Sequence, residues 1–198
     1  MTLPQSPPKP SAAPPAAPPT RATRPTRPIG ILLLVAILTT AVVVIVVQAG
    51  RAGSAGPVAK GQVLPNVAGT TLTGQSFDLA TLRGRPVVIN FWGPSCVPCR
   101  TEFPLLAAKA TAHQADGLVI VGVLMDDPVE PARAFAAQYG GTWQTVIDPG
   151  GTIKAAYRVL LRPQTYFVGR DGRLASIQYG ELTDADFERQ YATIAAGG

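Results

Sequence analysis

Phe91 to Pro104 reads FWGPSCVPCRTEFP and holds both cysteines of the 198-residue chain, Cys96 and Cys99. On its N-terminal side stands GRPVVINFW (Gly84–Trp92), a short apolar run rich in β-branched residues, the pattern of a strand buried on both faces. On its C-terminal side RTEFPLLAAKATAHQA brings Phe103, Leu106 and Ala110 round at helical spacing. The cysteine pair therefore falls where a buried strand ends and a helix begins.

Working outward, Gly117 ends that helix and LVIVGVLM (Leu118–Met125) predicts a second buried strand. DDPVEPARAFAAQYGG predicts another helix, with proline near its start and paired glycines at its end. WQTVID is a short strand candidate, and PGGTIKAAYRV a turn and helix. QTYFVGRDGRLASIQYG predicts two strands about an Arg170-Asp171-Gly172 turn. LTDADFERQYATIAA closes the chain as a helix that Thr183 or Asp184 can cap. Ahead of Gly84, LPNVAGTTLTGQSFDLATLRG is turn-rich and predicts a hairpin at the sheet edge. Strands alternating with helices, then a terminal hairpin, predict an α/β domain over residues 61–198 with a mixed sheet covered on both faces.

The residues before that domain are of three other kinds. Ten of the 20 prolines precede Ile29, in a stretch without aromatics that cannot bury enough surface to offset chain entropy; residues 1–28 are expected to be a disordered cytoplasmic tail. IGILLLVAILTTAVVVIVV, residues 29–47, carries no charge and no proline, and as a helix would span roughly 28 Å, the thickness of a bilayer core. Arg21, Arg24 and Arg27 stand just before it, which places the N-terminus in the cytoplasm and the folded domain outside, on a single-pass anchor in the cytoplasmic membrane. A cleaved signal peptide is the competing reading, since Val47-Gln48-Ala49 has a small-residue character, although such apolar cores run about 7 to 15 residues. Residues 48–60 are small and polar, as a tether would be. All the excess positive charge lies in the first 56 residues, because basic and acidic residues balance from Pro57 onward, so a nucleic-acid-binding face on the domain is not indicated.

A Cys-x-x-Cys at a strand-to-helix junction is a thioredoxin-type redox motif. Free N–H groups and the helix dipole favour a thiolate at Cys96, Cys99 returns one turn later, and Pro98 suits a first helical turn, where its missing N–H costs nothing. Three alternatives compete. A structural disulfide over so small a loop would constrain the unfolded chain little. A zinc site would need ligands beyond these two cysteines and the single histidine, His113. A peroxide-reducing cysteine would lie in a Pro-x-x-x-Thr-x-x-Cys context, where this chain has Ile89 and Gly93.

VVINFWGPSCVPCRTEFP, followed in order by DPGGTIKAAYRV and RPQTYFVGRDGRL, resembles the TlpA/ResA/CcmG(DsbE)-like membrane-anchored extracytoplasmic thioredoxins, and the resemblance runs from GQVLPN to the terminal helix. It implies a thioredoxin fold, a mixed central sheet flanked by helices, with an extra N-terminal β-hairpin and one preceding transmembrane helix. It implies Cys96 as the nucleophile and Cys99 as the buried resolving thiol. Pro163 matches the family's cis-proline opposite the dithiol, offering backbone to a bound peptide, and Trp92 matches an aromatic beneath the site. Glu102 matches an acidic residue of the ResA-like branch. Because Asn90 stands where cytosolic thioredoxins carry a buried Asp, Glu102 is the candidate proton shuttle for Cys99, with a solvated helix residue as the plain alternative.

Two departures bear on the docking surface, for which Arg162, Pro163, Trp92 and Pro98 are the candidate substrate-binding residues. Ser95 replaces the usual Trp before the first cysteine, and Arg162 precedes Pro163 where many relatives are apolar. Arg162 would either stabilise a Cys96 thiolate or swing into water. The resemblance implies protein disulfide or dithiol substrates, a membrane electron donor, contact with lipid through residues 29–47, and neither metal nor organic cofactor. Its implied client is the haem-binding cysteine pair of apocytochrome c. An oxidase or isomerase of exported proteins, and a non-catalytic thioredoxin-like binding module, are the alternatives.

Overall fold

The structure is a computed structural model that describes residues 34–42 and 58–196. The chain divides into two units, at residues 1–53 and 54–198. In the first, residues 34–42 form helix α1. The rest of the expected span, the proline-rich tail and most of the tether lie outside the described residues. Among the described residues no helix is long and apolar enough to cross a membrane.

In the second unit the order is β1 (Ala68–Thr70), β2 (Ser76–Asp78), a 3-10 turn (Leu79–Leu82), β3 (Val87–Trp92), α2 (Val97–Ala112), β4 (Val119–Leu124), α3 (Val129–Tyr139), β5 (Thr145–Ile147), α4 (Thr152–Tyr157), β6 (Gln164–Val168), β7 (Leu174–Tyr179) and α5 (Asp184–Ala195). Five strands form one sheet in the order β5-β4-β3-β6-β7. β3 runs parallel to β4 and antiparallel to β6, so the sheet is mixed. β1 and β2 pair antiparallel as a separate two-stranded sheet. It is joined to the edge of β5 by a Thr71–Val146 bridge and by the Leu72 N–H, which donates to the Thr145 carbonyl at 2.8 Å.

β3 is central and buried along its whole length, which is why its sequence is continuously apolar but for one residue. Successive side chains point to opposite faces. Val87, Ile89 and Phe91 pack with Tyr166 and with Ile153 and Tyr157 of α4. Val88 packs with Leu106 of α2 and Phe187, Tyr191 and Ile194 of α5, while Trp92 packs with Phe103 of α2 and Phe135 of α3. Asn90 lies on this second face, and the alternation thus turns an amide toward α2.

Trp92 is held by aromatic rings, with centroids 4.5 Å from Phe103 and 5.2 Å from Phe135. Its indole lies so close over Gly122 of β4 that a Cβ there would overlap both Trp92 Nε1 and Thr145 Oγ1. Glycine at this position is a packing requirement of the ring beneath the dithiol.

Candidate active site

Helix α2 begins at Val97, a turn earlier than its apolar repeat suggests, because Cys96 itself is the N-cap. The Cys96 sulfur accepts from the Cys99 N–H at 3.3 Å, occupying the place that Ser or Asp takes at ordinary helix starts. Pro98 sits in the first turn as expected. Cys96 and Cys99 are joined as a disulfide with Cα atoms 5.3 Å apart. Cys96 keeps 6 % of its surface in contact with solvent and Cys99 none, so an incoming sulfur can reach Cys96 first. His113 caps the other end of α2, about 25 Å away by helical rise, too far to share a ligand site with the pair.

One turn beyond Cys99, Glu102 has no exposed surface and is far from a solvated helix residue. At i and i+3 on one helix, the thiol and the carboxyl are neighbours. Asn90 Nδ2 donates to Glu102 Oε2 at 3.2 Å and to Thr165 Oγ1 at 2.9 Å, and Thr165 Oγ1 donates to Glu102 Oε1 at 3.5 Å. Burial pushes the Glu102 pKa up to about 7; the Glu181 charge adds to this, while hydrogen bonds from Asn90, the Leu182 backbone and Thr165 oppose it. A carboxyl in this state is half-protonated near neutrality, the condition for accepting a proton and giving it back.

The peptide bond between Arg162 and Pro163 is cis. The Pro163 carbonyl accepts from the Gly180 N–H at 2.9 Å, and proline has no N–H to offer. Among the described residues, the backbone N–H and C=O of the neighbouring Arg162 carry no hydrogen bond, so the unpaired backbone of this loop is that of Arg162 and not that of Pro163. The Arg162 guanidinium neither swings into water nor stands as a lone charge. It donates to Asp127 Oδ2 and the Met125 carbonyl, both at 2.5 Å, and to Ser95 Oγ at 2.8 Å. Asp127 was not legible as a site residue, since it lies 35 positions from Arg162 in an unremarkable acidic turn.

Trp92, expected among the substrate-binding residues, is fully buried. It supports the dithiol from beneath and presents nothing to a substrate, because the ring is enclosed by Phe103 and Phe135. The exposed apolar side chains near the dithiol and Pro163 in sequence are Val97, Leu160 and Leu161. Of these, Leu160 alone lines a cleft of about 1020 Å³, together with Asp127, Pro128, Asp148, Lys154 and Arg158 among others, and neither cysteine lines it.

A Cys-x-x-Cys disulfide capping a helix, a buried carboxyl one turn below and a cis-proline loop on a mixed sheet define a thiol–disulfide oxidoreductase of thioredoxin fold. Residues 60–177 match the model of the AhpC/TSA family. The chain is 32% identical over 137 residues to the thiol-disulfide oxidoreductase ResA of Geobacillus kaustophilus, covering 69% of this chain and 79% of that one. Among solved structures it is similar to a DsbE-type thiol:disulfide interchange protein from Chlorobium tepidum (TM-score 0.66, 26% identity, 70% of this chain and 99% of that one). It is also similar to a secreted Mycobacterium tuberculosis disulfide oxidoreductase homologous to E. coli DsbE (TM-score 0.59, 28% identity, 64% and 95%). The chain belongs to the AhpC/TSA family, among its ResA- and DsbE-like thiol–disulfide oxidoreductases.

Proposed function

We propose that this enzyme reduces protein disulfides outside the cytoplasmic membrane, held there by residues 29–47, and that the cysteine pair of apocytochrome c is its client. The observation that carries the reading is Glu102, buried one turn below Cys99 with its proton poised near neutrality. In the reductive direction the Cys96 thiolate attacks a client disulfide, forming a Cys96–client bond and releasing a client thiolate, which takes up a proton from solvent. Cys99 passes its proton to Glu102 and attacks the Cys96 sulfur, breaking the mixed bond and releasing the second client thiolate. Two electrons have then passed from the dithiol to the client. A membrane electron donor resets the pair by the reverse exchange.

Asn90 can serve both states of Glu102. Its Nδ2 donates to the carboxylate, and its Oδ1, which has no partner, can accept from the carboxylic acid once the amide turns over.

The opposite direction, installing disulfides in exported proteins, draws support from Cys96 at the helix N-cap, where a thiolate is stabilised. The reduction potential of the pair in the full chain decides between them. A value near that of thioredoxin, about −270 mV, is expected; a value near that of DsbA, about −120 mV, would overturn the reductive reading. Absence of turnover with any disulfide would leave a binding module. Alkaline extraction of membranes carrying the full chain tests the anchor: the protein should stay with the lipid and be released when residues 29–47 are deleted.

A further inference from the structure

Three loops meet at one ion pair beside the dithiol. Arg162 comes from the cis-proline loop, Asp127 from the turn after β4, and Ser95 from the turn that carries Cys96. The guanidinium binds Asp127, Ser95 Oγ and the Met125 carbonyl, and Ser95 Oγ donates in turn to Asp127 Oδ2 at 3.0 Å. The Arg162 and Asp127 side chains are 23 % and 10 % exposed, so the pair is shielded from screening by salt.

Gly93 is part of the arrangement. A Cβ there would overlap Asp127 Oδ2 and Arg162 Nη1 and come within 3.1 Å of the Met125 carbonyl. The ion pair therefore rests directly on the backbone of the turn whose Gly93 carbonyl accepts from the Cys96 N–H at 3.0 Å.

We propose that Asp127 is a positioning residue of the exchange reaction: it neutralises Arg162 and, through Ser95, fixes the cis-proline loop against the dithiol turn, thereby setting the redox equilibrium of the Cys96–Cys99 pair. The Arg162 guanidinium donates to the side chain of Ser95, the residue that precedes Cys96. With Asp127 in place the pair has no net charge and the Cys96 thiolate feels only its dipole. Without the carboxylate a full positive charge remains on the turn that carries Cys96 and stabilises the thiolate, hence the reduced form. Without the guanidinium a full negative charge does the reverse. The inference holds whichever way electrons flow in the cell, so it stands apart from the reductive reading.

The test is the equilibrium of the full-length protein with dithiothreitol or glutathione buffers, for three variants. Asp127→Asn should shift the dithiol–disulfide equilibrium about tenfold toward the dithiol, about 30 mV more oxidising, with Cys96 titrating at lower pH. Arg162→Gln should shift it by a similar factor the other way. The double variant should return close to the starting value. Loss of packing alone would move both single variants in the same direction and the double variant further. That pattern, or single-variant shifts below twofold, would overturn the proposal. Should Asp127→Asn fail to fold, Arg162→Gln and the double variant still decide it by their difference.

Discussion

Replacing Glu102 by Gln should slow resolution of the mixed disulfide by about a hundredfold or more, the range that a positioned general base supplies. In the parent protein the rate of this step should rise through about pH 7 as Glu102 ionises and becomes able to accept the Cys99 proton. The variant should lose that inflection and keep only the dependence due to thiol ionisation. Stability should change in the opposite sense. The carboxyl binds its proton more tightly in the folded chain than at its ordinary value of 4.5, so folding is favoured by this group at low pH. That contribution falls as pH rises toward about 7 and is flat above, a loss of about 3 kcal/mol across the window. Denaturant unfolding of the oxidised protein at pH 5 and pH 8 reads the difference directly. Glu102→Gln should flatten the slope and be the more stable protein at pH 8. A variant that keeps the parent's pH–rate inflection would remove Glu102 from the mechanism.

Cys99→Ala should have a larger effect. Attack by Cys99 on the Cys96 sulfur is intramolecular, and losing that advantage should cut turnover by on the order of a thousandfold or more. Cys96 would then remain bonded to its client, visible as a heavier species on a non-reducing gel and identifiable by mass spectrometry. Because Cys96 has the exposed surface and Cys99 has none, Cys96→Ala should capture nothing. Capture by Cys96→Ala in place of Cys99→Ala would reverse the two roles. The trapped client also reads the substrate class: a haem-binding cysteine pair would support the apocytochrome reading.

What the sequence disclosed of this fold and site follows from how local each feature is. VVINFW is legible because a strand buried on both faces must be apolar in a continuous run. The dithiol is legible because its three-residue spacing is a helical turn. The start of α2 at the dithiol is legible too, from Pro98 in a first turn, although the apolar repeat alone begins a turn later and a cysteine as N-cap is not among the usual capping signals. Burial of Glu102 was beyond reach: its cover comes from Asn90, Thr165 and the segment at Glu181 and Leu182, distant in sequence and adjacent only once the sheet forms. Arg162 stood out as a departure, but its partner did not, because nothing local distinguishes Asp127 from the other acids that follow strands. Trp92 lies beneath the dithiol as the resemblance implies, but a place for it in the docking surface is removed by Phe103 and Phe135, which the linear pattern does not bring beside it.

The packing of Trp92 against the same cluster as Cys96 and Cys99 has an optical consequence. A disulfide accepts an electron from an excited indole at near contact and quenches its emission, whereas a dithiol does so far less. Trp92 is fully buried, so bulk water contributes nothing to its decay. Reduction of the pair should brighten the protein's own fluorescence, and a Trp92→Phe variant should remove most of the change, leaving the weaker response of Trp143. The oxidation state of this enzyme can thus be followed in real time, unlabelled, by the light of the ring on which its dithiol rests.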